Sequence, residues 1–211
     1  MTDFQSEVQL LYRMPREEAL LGAIAQVSRN KGDIIDPAFP RGATIDREGE
    51  RKTLRFCVKA RHLSVLEFAQ LVFKIECPIF VARQLMRYRN ASYIERSLRY
   101  CEPETREFMK EIEDPEAAAT PYATIVQHEE YSRSVYDELV KDERKELARA
   151  VLPLSTMTVF LMRVDLRELL HIFDERLTPQ CQKETREVVQ QMYDNTRPYY
   201  PIVFNAYGDC Q

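Results

Sequence analysis

An arginine-rich segment, residues 83–99, carries the strongest chemical signal in the sequence. It contains five arginines, one carboxylate at Glu95 and no lysine. Guanidinium groups make planar, bidentate contacts with phosphate oxygens, so the segment predicts a site for a small, highly charged anion. The alternative is a solvated helix face followed by a polar strand. Because the whole chain has a net charge of −4, any anion site must be local.

Composition excludes several other ways of building such a site. The chain has five glycines and neither a GxGxxG nor a GxxxxGKS/T motif, so side chains must supply the phosphate contacts. Its five cysteines are an odd number without a CxxC pair, which favours reduced thiols in a cytoplasmic protein and argues against a metal site. The polar first residues predict no secretory signal, and no apolar run approaches the ~20 residues that span a bilayer. The acidic balance argues against a nucleic-acid partner.

Hydrophobic periodicity and turn residues predict the elements that would position these side chains. The predicted elements are a strand at 8–12, a helix from 15 to about 27 or 28, a loop at 30–51, a strand at 71–76, a helix at about 79–88, a strand or loop at 92–100, helical sequence at 121–149, a strand or buried helix end at 157–162, a helix at 166–176 and a last helix from 178 to about 195. Helices mixed with a few strands indicate an α/β or α+β fold. The length suits one domain over residues 1–211.

Two of these elements bring polar side chains together around the arginines. On the helix predicted upstream of Glu95, Gln84 and Arg87 are three residues apart and therefore neighbours. In an extended segment, Glu95, Ser97 and Arg99 are at a spacing of two and project to one side. Arginine and serine hold a phosphate, whereas a glutamate accepts hydrogen bonds from a ribose hydroxyl or a base N–H. The combination predicts a nucleotide site.

The same segment resembles the signature of the flavin-dependent thymidylate synthases. Residues 87–100 read RYRNASYIERSLRY, and the family pattern runs Arg-His-Arg, two residues, Ser, one residue, Asn-Glu, one residue, Ser, one residue, Arg-Tyr. Further segments similar to the family are AQVS at 25–28, HLSVLE at 62–67, PIFVARQ at 78–84, ARAVLPL at 148–154 and the stretch 165–176. The likeness therefore extends from about residue 8 to residue 205.

This resemblance implies an activity and a set of ligands. Members of the family transfer a methylene from methylenetetrahydrofolate to carbon 5 of dUMP, and FAD reduced by NADPH supplies the hydride. The implied FAD contacts are Ser28, His62, Ser64, Glu67, Arg87, Tyr88, Arg89, Glu95, Asp165, Arg167 and His171. The implied nucleotide ligands are Gln84, Arg87, Glu95, Ser97, Arg99, Arg149 and Arg176. Arg176 resembles the family's arginine that favours the uracil ring ionised at nitrogen 3, which would make it catalytic.

A quaternary structure is implied as well. The family is homotetrameric, with a central sheet flanked by helices in each chain and with active sites built from more than one subunit. Shared sites would explain how a short chain without a Rossmann fingerprint could bind a dinucleotide, a pyrimidine nucleoside monophosphate and a folate.

Several positions differ from the family pattern, and they leave the function open. The differing positions are Tyr88, Ile94, Leu98, Asp165, His171 and Gln180. Tyr88 keeps a ring that stacks on a flavin, whereas Asp165 puts a carboxylate where a phosphate would be repelled. His171 suits helix packing as well as flavin contact. The open functions are methylation of dUMP, methylation of UMP as in nucleoside-antibiotic pathways, hydroxymethylation of a pyrimidine nucleotide, and a nucleotide-binding module that has lost its chemistry.

Overall fold

An antiparallel sheet of four strands organises the fold. The computed structural model describes residues 6–26, 47–103, 121–141 and 145–208. The strands are β1 (Glu7–Met14), β2 (Gln70–Pro78), β3 (Ala91–Glu95) and β4 (Met157–Asp165). Their order across the sheet is β1-β2-β4-β3, and each neighbouring pair is antiparallel.

Helices flank this sheet. The α-helices of the described residues are α1 (Ala19–Gln26), α2 (Arg47–Lys59), α3 (Ile79–Leu85), α4 (Pro121–Lys141), α5 (Lys145–Ala148), α6 (Leu166–Arg176), α7 (Lys183–Thr196) and α8 (Pro201–Gly208). Short 3-10 turns lie at Leu63–Phe68, Arg149–Val151 and Arg197–Tyr199. The prediction of an α+β fold with a central sheet and flanking helices is confirmed. Among the described helices, none is both long and apolar enough to cross a bilayer.

One face of the sheet is buried and the other is half-buried or exposed. Along β2, Leu71, Phe73 and Ile75 are fully buried, whereas the residues between them are half-buried. Phe73 lies opposite Met162 of β4, which is also fully buried. This period of two follows from the alternation of side chains along a strand. The buried face and the apolar sides of the helices share one hydrophobic core.

Two strand-to-helix junctions determine where the predicted site residues lie. β2 ends at Pro78, whose φ of −60° suits the start of a helix, and α3 follows directly. β4 ends at Asp165, whose carboxylate accepts a hydrogen bond from the Glu168 backbone N–H at 2.9 Å and so caps α6. Because β2 and β4 are antiparallel neighbours, α3 and α6 begin at opposite ends of this strand pair.

Two helices lie where the sequence predicted none. α2 begins at Arg47, inside the predicted loop, and has two glutamates in its first turn, where carboxylates favour a helix N-terminus. α8 follows what was predicted to be the last helix. The Glu18 carboxylate accepts hydrogen bonds from the backbone N–H groups of Ile202 and Val203 in its first turn, at 3.0 and 2.7 Å. Because the capping residue Glu18 is far from α8 in the sequence, no local sequence signal predicts this cap.

Some predicted bounds are wrong at one end of an element. α3 ends at Leu85 rather than at Tyr88. The Tyr93 hydroxyl lies 2.8 and 2.9 Å from the backbone carbonyl oxygens of these two residues and shares its one proton between them. The helical sequence predicted at 121–149 contains α4 and α5, and residues 142–144 between them lie outside the described residues. α7 begins at Lys183 rather than at 178. The strand at 157–162 and the helix at 166–176 are confirmed, and β4 continues to Asp165.

Candidate active site

A cleft of about 680 Å³ lies between α3 and the 3-10 turn that follows α5. Arg83 lines it from α3, Glu95 and Ser97 from the end of β3, and Arg149 from the 3-10 turn. We call these four residues and the space between them the open cleft. Three predicted nucleotide ligands thus share one cavity, and Arg83 and Arg96 add two guanidiniums that the resemblance did not assign. Three guanidiniums and a hydroxyl are a suitable set for a phosphate.

Glu95 is the acceptor of the open cleft. Its Oε1 accepts a hydrogen bond from the hydroxyl of Thr158 at 2.9 Å, and Thr158 is almost fully buried. Burial raises the pKa of the neighbouring Cys77 thiol, and the Glu95 charge raises it further. A carboxylate held in this way is positioned to accept a hydrogen bond from a ligand hydroxyl or N–H.

Arg99 lies beside the open cleft in an ion pair. Its Nε contacts Glu146, whose side chain lines the cleft, and its backbone N–H donates to the Ser97 hydroxyl oxygen at 3.3 Å. The predicted spacing of Glu95, Ser97 and Arg99 on one side required an extended segment, and this condition is not met beyond Glu95, because the strand ends there and the chain turns at Ser97. The backbone N–H of Tyr100 closes that turn on the Ser97 carbonyl at 3.1 Å.

A second group of predicted residues surrounds the end of α6. The Tyr88 hydroxyl donates to Oε2 of Glu175 at 2.6 Å, and Nε of Arg176 donates to the same hydroxyl at 2.7 Å. We call Tyr88, Glu175 and Arg176 the buried network after its central tyrosine, which is only 7% exposed. Arg176 is half-buried, and the Glu175 side chain is 47% exposed. The hydrogen bond from Tyr88 lowers the pKa of Glu175 against the effect of burial, with help from the charges of His171, Arg176 and Arg87.

The remaining predicted residues of α3 and its C-terminal end lie near the buried network. Gln84 donates through Nε2 to Oε1 of Gln182, just before α7, at 2.5 Å. Arg87 and Arg89 are exposed. Arg83 faces the open cleft, whereas its neighbour Gln84 contacts the α7 side. The predicted nucleotide ligands of one chain therefore form two groups on either side of α3.

A pocket of about 640 Å³ contains four of the predicted flavin contacts. Glu67, Asp165, Arg167 and His171 line it. Asn90, Glu168, Asp174 and Tyr207, which the sequence did not single out, line it too. Four carboxylates face one guanidinium and one imidazole, so we call this the acidic pocket.

Most charges of the acidic pocket already have protein partners. Arg167 forms an ion pair with Glu67. The Tyr207 hydroxyl donates to Asp174 at 2.5 Å. Burial raises the pKa of Asp165, and nearby Glu67 raises it further against the hydrogen bond from the α6 N-terminus. Asp165 is thus a helix cap, and its cap explains why a carboxylate is tolerated there.

These residues fit part of a flavin dinucleotide. Carboxylates accept hydrogen bonds from the ribose and ribityl hydroxyls and from ring N–H groups, and the acidic pocket has four of them. A pyrophosphate needs cations, and the exposed Arg87 and Arg89 supply guanidiniums near the end of α3. The donor set therefore suits FAD if its hydroxyl-rich parts face the carboxylates and its phosphates face these arginines.

The other implied flavin contacts that the structure describes do not line this pocket. Arg87, Tyr88, Arg89 and Glu95 lie where described above, and three more implied contacts remain. His62 is exposed and meets the Phe56 ring edge-on at 6.3 Å between centroids. Ser64 is exposed on the 3-10 turn that begins at Leu63. Ser28 lies outside the described residues.

Sequence reasoning missed several partners of the site. Only Glu175 had a local signal, since it follows His171 by four residues on one helix face. Its carboxylate lies 3.5 Å from His171 Nε2. Thr158, Glu146 and Gln182 reach the site through the tertiary fold, and no spacing in the sequence indicates them.

Known proteins similar to this chain identify its family. The profile described as thymidylate synthase complementing protein matches residues 9–202. A flavin-dependent thymidylate synthase from Pseudothermotoga lettingae is 34% identical over 166 residues, which cover 74% of this chain and 75% of the relative. The chain belongs to the flavin-dependent thymidylate synthase family. Another family member, from Thermus thermophilus, is 32% identical over 200 residues, which cover 82% of this chain and 72% of that protein.

The fold agrees with this family assignment. The crystal structure of a UMP/dUMP methylase, PolB from Streptomyces cacaoi, bound with 5-Br dUMP matches with a TM-score of 0.77 at 22% identity, over 98% of this chain and 96% of that one. The family predicted from the arginine-rich signature is confirmed, and so is the prediction of an enzyme of this family.

Proposed function

We propose that this flavin-dependent thymidylate synthase family member methylates carbon 5 of a uridine monophosphate, either dUMP or UMP. Methylenetetrahydrofolate would donate the carbon, and FAD reduced by NAD(P)H would donate the hydride. The observation that carries the proposal is the open cleft, in which Glu95, Ser97 and Arg149 converge in one cavity. The match to the family over residues 9–202 supports the same chemistry.

The side chains have separable roles in this proposal. Ser97, Arg149 and the adjacent Arg99 would hold the phosphate, while Glu95 accepts a hydrogen bond from the sugar or base. Arg176 would contact the uracil ring and stabilise negative charge at nitrogen 3, which activates carbon 5 without a cysteine nucleophile. A guanidinium suits this role because it stays protonated at neutral pH. Gln84 and Arg87 would orient the nucleotide from the α3 side.

Glu67, Asp165, Arg167 and His171 would hold the flavin in the acidic pocket, with Arg87 and Arg89 at its phosphates. When bound, the flavin supplies the hydride that completes the methyl group. Ser28, His62, Ser64 and Tyr88 remain predicted contacts of the same cofactor.

We further propose that complete sites form between copies of the chain, as a homotetramer. The two groups of nucleotide ligands lie on either side of α3, so two chains could each supply one group to a shared site. The outer sheet face offers an apolar surface for assembly: Ile94 is 74% exposed and lies opposite Leu161, which is 37% exposed. Exposed apolar residues grouped in this way mark contact surfaces.

The sugar preference and the cellular setting are part of the proposal. PolB is described as a UMP/dUMP methylase, which supports testing both sugars here. The one-domain organisation over residues 1–211 stays a prediction. The four described cysteines are free thiols, which supports the proposed cytoplasmic location.

The decisive experiment incubates the protein with FAD, NADPH and methylenetetrahydrofolate against dUMP, UMP, dCMP and CMP in parallel, with mass spectrometry of the nucleotides. We expect a methyl product from dUMP or UMP, and yellow protein that bleaches with NADPH. A hydroxymethyl product would show that the protein is a hydroxymethylase and not a methylase. Colourless protein that cannot be loaded with FAD, but binds nucleotide, would favour a binding module without chemistry.

A further inference from the structure

We infer that Tyr88 is a positioning residue that fixes the guanidinium of Arg176 for end-on contact with the nucleotide base. The inference rests on the proposed function of Arg176 as a nucleotide ligand. It assigns to Tyr88 a task different from the flavin contact that the resemblance implied.

The hydrogen bonds of the buried network set the orientation. Nε of Arg176 donates to the Tyr88 hydroxyl at 2.7 Å, and that hydroxyl donates to Glu175 at 2.6 Å. A phenolic hydroxyl has one proton, so donation to Glu175 leaves only its lone pairs for Arg176. The direction of both bonds is therefore determined by the charges of the two partners.

Burial of the Tyr88 side chain stabilises this hydrogen-bond arrangement. Tyr88 is 7% exposed and belongs to the hydrophobic core. Its ring meets the imidazole of His171 edge-on at 5.9 Å between centroids, and Cζ of Arg176 lies 5.5 Å from the ring centroid. A ring enclosed in this way offers little free face for stacking on a ligand, whereas its hydroxyl is well placed to hold an arginine.

The protonation state of Tyr88 supports the same assignment. Burial, together with the hydrogen bond to Glu175, raises the pKa of Tyr88 to about 12, in spite of the Arg176 charge. The hydroxyl therefore keeps its proton throughout the physiological range. The pKa of Glu175 is lowered by the same hydrogen bond, so the carboxylate stays ionised as the acceptor.

A consequence for recognition follows from the occupied Nε. A guanidinium contacts planar ligands either through Nε and one Nη, or end-on through both Nη atoms. With Nε held by Tyr88, the side-on approach through Nε is closed. The Cys181 thiol is a further hydrogen-bond partner of Arg176, so a ligand would use the Nη N–H groups that Cys181 leaves open. A pyrimidine would therefore meet Arg176 with one edge of its ring, in the plane of the guanidinium.

The test is a double-mutant cycle on FAD-saturated protein. Calorimetry measures the Kd of dUMP and UMP for the wild type, Tyr88→Phe, Arg176→Ala and the double variant. We expect Tyr88→Phe to raise the Kd about five- to tenfold in the wild-type background and hardly at all in the Arg176→Ala background. The phosphate ligands of the open cleft are intact in each variant, which keeps the weaker affinities measurable. Glu175→Gln serves as a second variant and should show coupling of the same sign.

Tyr207→Phe is the matched control. It also removes a buried hydroxyl that donates to a carboxylate on α6, in this case Asp174. Its effect should be the same with and without Arg176. Equal losses for Tyr88→Phe in both backgrounds, or a loss of FAD affinity in place of nucleotide affinity, would overturn the inference alone. If the wild-type protein binds neither nucleotide, the proposed function is contradicted, and the inference that rests on it fails as well.

Discussion

The buried network and the open cleft would hold the two ends of one nucleotide by different physical means. In the buried network, the tyrosine that bonds both charged partners is only 7% exposed and Arg176 is half-buried, whereas the Glu175 side chain is 47% exposed. At the open cleft, the side chains of Arg99 and Glu146 are 50% and 64% exposed and form an ion pair with each other. Interactions shielded from water are stronger and more rigid than those at the surface. In the proposed function, the base end would therefore be pre-organised, whereas the phosphate end would rely on charge and adapt.

The largest expected effect comes from removing the charge that the buried network orients. Arg176→Ala should lower kcat by at least about 100-fold, because a preorganised charge at a developing anion is a major source of rate enhancement. The fold and flavin binding should remain, since Arg176 is half-buried and absent from the acidic pocket. Steady-state kinetics and the flavin absorbance spectrum measure the two properties.

Arg176→Lys is the control for this variant. Lysine keeps the positive charge but lacks the planar group that Tyr88 holds, so it should recover little of the lost rate. Normal turnover in Arg176→Ala would contradict the assigned role, and full recovery in Arg176→Lys would show that orientation does not matter.

A smaller effect is expected from the arginines of the phosphate end. Arg149→Ala and Arg99→Ala should each weaken nucleotide binding by ~1.5–3 kcal/mol through a lost charged hydrogen bond. The loss of binding free energy for Arg99→Ala should be nearer the lower value. In the wild type, Arg99 breaks its ion pair with Glu146 when it binds the phosphate, and this cost offsets part of the free energy of the new contact. Calorimetry with dUMP and UMP at two salt concentrations measures both, and higher salt should reduce the differences.

Arg55→Ala controls for the general loss of one positive charge. Arg55 is exposed on α2 and outside the open cleft. Its removal should leave the nucleotide affinity unchanged. Equal losses for all three variants would mean that overall charge, and not the cleft, attracts the nucleotide.

The difference between the two regions also explains what the sequence could predict. β2 and α6 follow from the period of their apolar residues, and the cap of α6 at Asp165 is local. The signature at 87–100 identifies the family because its residue types and spacing are specific. In each of these cases, the residues that carry the structural signal are close together in the sequence.

Long-range contacts carry the rest. Tyr88 and Arg176 are 88 positions apart, and their hydrogen bond depends on two helices that begin at opposite ends of a strand pair. The cap of α8 comes from Glu18. No pattern within a short window contains such pairs, so the sequence did not predict the hydrogen bond between Tyr88 and Arg176. The flavin contact of Tyr88 stays a prediction.

The pH dependence of stability tests the ionised carboxylate of the buried network. Because the folded-state pKa of Glu175 lies below its ordinary value of 4.5, the ionised group adds stability above that pH and loses it as the pH falls through the lower value. The stability difference between the wild type and Glu175→Gln should therefore be constant near neutral pH and shrink below pH 4.5. Urea unfolding at several pH values measures it, and a difference that grows in acid would contradict the lowered pKa.

The smallest expected effect comes from breaking the ion pair of Arg99 beside the open cleft. Glu146→Gln removes the carboxylate that competes with a phosphate for that guanidinium, so nucleotide affinity should increase by about two- to fivefold at low salt, as for an exposed ion pair. The gain should vanish in an Arg99→Ala background and be absent for Glu138→Gln, an exposed glutamate of α4 outside the cleft. Weaker binding in Glu146→Gln would mean that Glu146 positions Arg99 for the phosphate. The open cleft would then be pre-organised as well, and the contrast with the buried network would be one of exposure alone.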